Sequence, residues 1–487
     1  MHNSTNQISV LSTRSGRLTL ALVCLAGFLD FIDTTIVNVA LPSIRQHLGF
    51  SEQSLQWVIS GYLLTYGGFL LLGGRAADLL GRRRLLIAGT TLFGLSSLVG
   101  GLSGSEGMLI ASRLTQGLGA AMMTPAALSI LTTSFNEAGD RVKAIGVWSG
   151  TIPLASAIGV LAGGLLSQGP GWRWVFFVNL PVCAVVIIGA RRILPGDRIE
   201  AVKDIDAIGA ILPTASALTF VYALVNAPSV GWGSLRTIAE LAAAAALLAG
   251  FVVGELRSRN PLFPPSIFRI KGLAAADATQ VIAQAGFLSV FFFITLYLQS
   301  VLNMSPVEAG AAYIPVTIGV GISSGISTQL LPRIGSRPLI VLGPLIGAAG
   351  VFWLSRIPAH GSYVADVLPG LFVMALGLGA VFVGVQNAAN AGVPPEQAGL
   401  AAALISASAT LGGALGLAIL SAIATSRTHH LLAAHLSHPA ALTSGFGHAL
   451  MVCSLFLVAA AVIAARTAST RGQQVPAAEP LAILDAA

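Results

Sequence analysis

Asp30 and Asp33 lie within Leu18–Leu41, an apolar segment long enough to cross a bilayer. A carboxylate at the centre of such a helix costs roughly 2.5–3.5 kcal/mol on insertion scales, so a chain that carries two is expected to use them. The pair are three residues apart and share a helix face. Two carboxylates close together in low dielectric cannot both ionise cheaply, so at least one is expected to exchange protons near neutral pH. That points to ion-coupled transport. The candidate base is Arg113, within LIASRLTQGLGAA from Leu109 to Ala121. At 1.5 Å per residue, Asp33 lies about 22 Å from the start of its span and Arg113 about 8 Å from the opposite start of the fourth, so their depths coincide across a core of about 30 Å. Two readings stand. Arg113 modulates Asp33 as the helices part, giving a proton site sensitive to conformation, or the two form a permanent ion pair. Gln116 shares the face with Arg113 and is expected to help hydrate the site.

The elements that must position these groups are read from composition. Of 487 residues 55% are hydrophobic and 9% charged, which excludes a soluble protein with an ordinary charged surface. A net charge of +7 would suggest nucleic acid in a soluble domain, but here the basic residues sit in short loops between apolar runs, so no nucleic acid is expected. Cys24, Cys183 and Cys453 fall inside apolar segments and read as buried hydrophobes rather than disulfide partners. The first apolar run follows a polar stretch and holds two acids, unlike a cleaved signal peptide, and is expected to be a retained first span. Runs of about 20 apolar residues give about fourteen transmembrane helices in an all-α polytopic membrane protein. Sorting the 26 Lys and Arg by side puts twenty on one face, five on the other and Arg113 within a span, a bias that places both termini in the cytoplasm.

The expected organisation is a cytoplasmic tail over 1–17, a six-helix bundle over 18–192, two additional helices over 193–260, a second six-helix bundle over 261–468, and a disordered cytoplasmic tail over 469–487. A weak internal repeat supports two bundles. DLLGRRRLLIAG from Asp78 and PRIGSRPLIVLG from Pro332 match at Gly81, Arg83, Leu85 and Gly89 against Gly335, Arg337, Leu339 and Gly343. Such repeats place a substrate site at the midplane between the halves.

Further motifs follow. In the loop GGRAADLLGRRR, Gly74 and Gly81 permit a tight turn, Asp78 can accept hydrogen bonds from a helix end or an Arg, and Arg82 and Arg83 are suited to anionic headgroups. In the fifth span Gly146, Gly150, Gly159, Gly163 and Gly164 offer small surfaces for close helix contact, and Gly412, Gly413 and Gly416 are a counterpart in the thirteenth. The ninth span carries Asp277, Gln280, Gln284, Phe287 and Phe291 at helical spacing, a stripe that could line a cavity for an amphipathic substrate or, at Asp277, sit at the membrane interface. Neither metal nor cofactor is implied, and loops this short leave no room for an enzyme domain.

At this point the residues resemble a known family. DTTIVNVALP at Asp33, the Gly74–Arg84 loop, RLTQGLGAA at Arg113, WRWVFFVNLP at Trp172, SPVEAGAAYIP at Ser305 and QAGLAAALISASATLGGALGLAIL at Gln397 are similar to the major facilitator superfamily, specifically its fourteen-span drug:proton antiporters of bacteria. The resemblance implies the major facilitator fold, alternating access by two six-helix bundles, and export of hydrophobic, often cationic compounds across the cytoplasmic membrane in exchange for protons. A transporter of one endogenous metabolite or antibiotic on the same fold is the alternative. By position, Asp33 resembles the family's first-span acid, Arg113 its proton-linked arginine, and Asp78 with Arg82 and Arg83 its gating loop. One departure bears on mechanism: the fifth-span motif usually carries a proline where this chain has Val160, which puts strict antiport in question. The expected partners are a small hydrophobic substrate, protons and the lipid bilayer, and the expected unit is a monomer.

Overall fold

A computed structural model describes residues 11, 13–135, 138–196, 207–258, 272–390 and 398–467. In hydrocarbon every backbone N–H and C=O must be paired within its own segment, and long apolar runs accordingly fold as helices. Thirteen helical stretches among the described residues are long and apolar enough to span a membrane. The helix Ala138–Gln168, 31 residues long, of which Leu154–Gln168 is a shorter apolar stretch, stands beside them as a fourteenth long helix. In chain order they are α1 (Arg14–Leu48), α2 (Trp57–Leu80), α3 (Arg82–Gly101), α4 (Glu106–Ser134), α5 (Ala138–Gln168) and α6 (Trp174–Ile193). The pair α7 (Ala207–Val230) and α8 (Leu235–Arg257) follows. The second bundle is α9 (Leu273–Ser300), α10 (Pro306–Ile334), α11 (Ser336–Leu354), α12 (Tyr363–Ala389), α13 (Ala398–Ala433) and α14 (His438–Ala464).

Helix ends are set by local chemistry. Ser105, Ser234 and Ser305 accept from the backbone N–H of Met108, Thr237 and Glu308, and Glu308 completes a capping box on Ser305. The segment 74–84, expected as a loop, is helix interrupted at one residue. α2 continues to Leu80, Gly81 turns at φ 101°, and α3 begins at Arg82. Polar side chains leave the membrane there while the backbone keeps its own hydrogen bonds. The repeated loop behaves alike: Gly335 turns at φ 78° between α10 and α11. Arg83 Nη2 donates to Arg191 O at the end of α6, 2.7 Å away, and Arg337 Nη2 donates to Ala465 O just past α14. Each arginine thus meets carbonyls left unpaired at the end of its bundle's sixth helix.

The halves meet on the face expected to be extracytoplasmic. A Cβ at Gly164 of α5 would lie 2.7 Å from Pro306 O of α10, whereas one at Gly163 would lie 2.7 Å from Ile36 O of α1, within the first half. Gly310 abuts the carbonyl of Val160, so α10 crosses α5 where the missing proline would stand. Gln299 Nε2 of α9 donates to Val39 O of α1 at 2.9 Å. α7 fills the gap between α2 and α13: Gln53 donates to Val225 O, Thr214 lies against Gly68, and Trp232, just beyond α7, reaches Ser426 Oγ at 3.4 Å.

Candidate functional site

Asp33 is fully buried on α1 and is held from two sides. Arg113 of α4 donates from Nη1 to Asp33 Oδ2 at 2.6 Å. Gln116 Nε2, from the next turn of α4, and Asn179 Nδ2, from α6, donate to Oδ1 at 2.9 and 2.7 Å. The ion pair expected from helix rise is therefore present. Arg113 also donates from Nε to Val58 O at 2.8 Å and from Nη1 to Gln116 Oε1 at 2.7 Å. Its guanidinium stands over the ring of Tyr62, 4.4 Å from the centroid. Asn179 is fixed in turn by Ser97 Oγ of α3, 3.0 Å away, which donates to Phe176 O at 2.9 Å.

Asp30, one turn away and also buried, has a different shell. Tyr62 donates its hydroxyl to Oδ1, and Thr124 Oγ1 donates to Oδ2 at 3.3 Å. Among the described residues every side chain on it is a hydroxyl. The cluster thus holds two acids, Asp30 and Asp33, and one base, Arg113: without a proton it carries a net negative charge, with one it is neutral. Burying uncompensated charge is costly, so a single proton decides the electrostatics of the whole cluster.

Sequence reasoning named Asp30, Asp33, Arg113 and Gln116, and the fold brings them together. It missed Tyr62, Asn179 and Ser97. A signal existed for two: Asn179 lies in the quoted WRWVFFVNLP fragment, and a tyrosine mid-span needs a partner for its hydroxyl.

The remaining candidates separate. Gly159, Gly163 and Gly164 pack against Thr35, Ile36 and Pro306, whereas a Cβ at Gly146 or Gly150 would meet nothing within 4 Å. The side chain of Asp78 lies outside the described residues. Arg82 and Arg83 begin α3 beside it. In the second bundle Asp277 is 6% exposed; Ser408 Oγ of α13 donates to its Oδ1 at 3.0 Å. Asp277 Oδ2 and Gln280 Oε1 are buried acceptors without a partner among the described residues. Gln284 and Phe291 are half-buried, and Phe291 packs 5.5 Å from the Tyr313 ring. Phe287 turns into the bundle, against Gly347 and Leu457.

A model of the Major Facilitator Superfamily matches residues 23–417. The chain is 39% identical to a puromycin resistance protein of Streptomyces alboniger over 92% of this chain and 89% of that protein. It is 36% identical to a cephamycin export protein of Amycolatopsis lactamdurans, over 95% and 94% of the two chains. A multidrug resistance protein of Mycobacterium tuberculosis is 34% identical over 87% of this chain and 78% of its own length. Among solved structures, an auto-inhibited POT family peptide transporter superposes with TM-score 0.68 at 17% identity, covering 95% of this chain and 99% of that one. A D-xylose–proton symporter gives 0.62 at 15%, covering 91% and 97%; at such identities the likeness is one of fold alone. With two six-helix bundles, a further helix pair between them and a family model over most of its length, the chain is a multi-pass membrane transporter and belongs to the Major Facilitator Superfamily.

Proposed function

We propose that this chain exports small hydrophobic, in part cationic, compounds across the bacterial cytoplasmic membrane by alternating access, in exchange for protons. The observation that carries the reading is the buried Asp33–Arg113 pair with a second acid, Asp30, held only by hydroxyls one turn away. Such a cluster gains or loses a full charge with one proton, and Arg113 sits on a different helix from both acids. Relative movement of α1 and α4 therefore changes the cost of that proton. Inward proton flow supplies about 2.3 kcal/mol per charge per 100 mV, enough to hold a substantial outward substrate gradient. The relatives named for resistance and export support the direction of transport.

In this reading the bundles 18–192 and 261–468 rock about the midplane with 193–260 alongside, and both termini are cytoplasmic. Gly74, Asp78, Gly81, Arg82 and Arg83 form the gate at the cytoplasmic face. Gly159, Gly163 and Gly164 are the sliding surface on the other. Asp277, Gln280, Gln284 and Phe291 serve the substrate cavity, two of them with acceptors free to receive donors from a ligand. The protein works as a monomer embedded in lipid.

The test is a growth-inhibition panel in cells with and without the gene, repeated with a protonophore and with Asp33→Asn. Protection against several lipophilic compounds that vanishes with the protonophore and in the variant is expected. Protection unaffected by either would refute the reading. A narrower substrate range has its own support, since two of the relatives are named for single antibiotics. Protection against one compound only would select it.

A further inference from the structure

We propose that Tyr62 is the positioning residue through which protonation of Asp30 is felt at the Asp33–Arg113 pair. The inference rests on the proton-coupled reading above. Tyr62, on α2, is fully buried and touches one member of each group: its hydroxyl donates to Asp30 Oδ1, and its ring face lies 4.4 Å from the Arg113 guanidinium. Arg113 in turn holds Asp33 at 2.6 Å. A tyrosine has two side-chain torsions, and both ends of this one are engaged, so the two contacts move together.

A hydroxyl bonded to a carboxylate is polarised toward it, which enriches the ring and strengthens its attraction for a cation. When Asp30 takes a proton, the hydroxyl loses its charged acceptor and the ring loosens its hold on Arg113. By linkage, removing Arg113 from the ring must alter the proton affinity of Asp30 by the same factor. The titratable groups around Asp30 are Asp33 on its own helix and Tyr62 and Tyr66 from α2, while Arg113 from α4 touches Asp33 and the Tyr62 ring. Tyr66 lies 5.8 Å from Tyr62 ring to ring, but it is Tyr62 that spans both groups.

The experiment uses the full-length chain in lipid nanodiscs with spin labels on cysteines placed at Lys143 of α5 and Arg333 of α10, both exposed and on different bundles. The native Cys24, Cys183 and Cys453 are buried and stay unlabelled. Distance distributions are recorded from pH 5 to pH 9 for wild type, Tyr62→Phe, Tyr66→Phe and Asp30→Asn. The expected result is a two-population titration in wild type and Tyr66→Phe. In Tyr62→Phe, which keeps the ring, its amplitude should fall to less than about a third, as in Asp30→Asn, with no further loss in the double variant. Gel filtration and thermal midpoint of each variant establish that it is folded. Tyr62→Phe titrating with wild-type midpoint and amplitude would overturn the inference and leave the proton-coupled reading standing. A wild type with no pH response would bring down that reading and the inference with it.

Discussion

Each donor on Asp33 does a different job. Arg113 supplies the counter-charge, Gln116 ties Arg113 and Asp33 into one unit, and Asn179 brings in α6. Asn179→Ala should cost about 1–3 kcal/mol, because it strips a donor from a buried carboxylate and leaves Ser97 Oγ without the bond it accepts. A lowered thermal midpoint in detergent, with insertion intact, checks it. Arg113→Lys keeps the charge but cannot serve Asp33, Gln116 and Val58 O at once, since an ammonium lacks the planar fork. Substrate export by Arg113→Lys should fall by about tenfold or more, one tenfold step per 1.4 kcal/mol, and near wild-type export would show the fork to be unimportant. Asp33 and Arg113 were legible as partners because helix rise alone converts sequence position into depth. Tyr62 and Asn179 were not, because the helices that stand beside α1 are chosen by packing, which apolar periodicity in a uniformly hydrophobic span does not encode.

Among elements, α5 shows how glycines of equal appearance part company. A side chain at Gly164 meets the backbone of Pro306 in the other bundle, while Gly146 has open space. Gly164→Val should disfavour the closed state of that face by about 1–3 kcal/mol, about 5- to 150-fold in population. Gly146→Ala should be silent. The check is the rate at which an impermeant maleimide modifies a cysteine at Leu302, faster in Gly164→Val and unchanged in Gly146→Ala. The span count was legible because hydrocarbon thickness fixes helix length. Where α2 ends was not, since Arg75 and Asp78 suggest a loop although the backbone stays helical to Leu80, and Gly81 alone makes the turn.

At the scale of the molecule, the repeat read from four matched residues reappears in the structure: Gly81 and Gly335 both turn the chain at positive φ, and Arg83 and Arg337 reach the end of the sixth helix of their own bundles. The charged machinery is not symmetric. Asp30, Asp33 and Arg113 belong to the first bundle, and the second carries Asp277 with Ser408. Under the proposed function the proton belongs to the first half, and the unpartnered acceptors of the second receive the substrate. The most direct measurement of the central claim uses proteoliposomes with an imposed pH gradient, following ethidium and internal pH together in wild type and Asp33→Asn. The account predicts uphill ethidium movement opposite to the proton flux in wild type, with both fluxes lost in the variant. Uphill transport that persists in Asp33→Asn, or that proceeds in wild type with no proton movement, would contradict it.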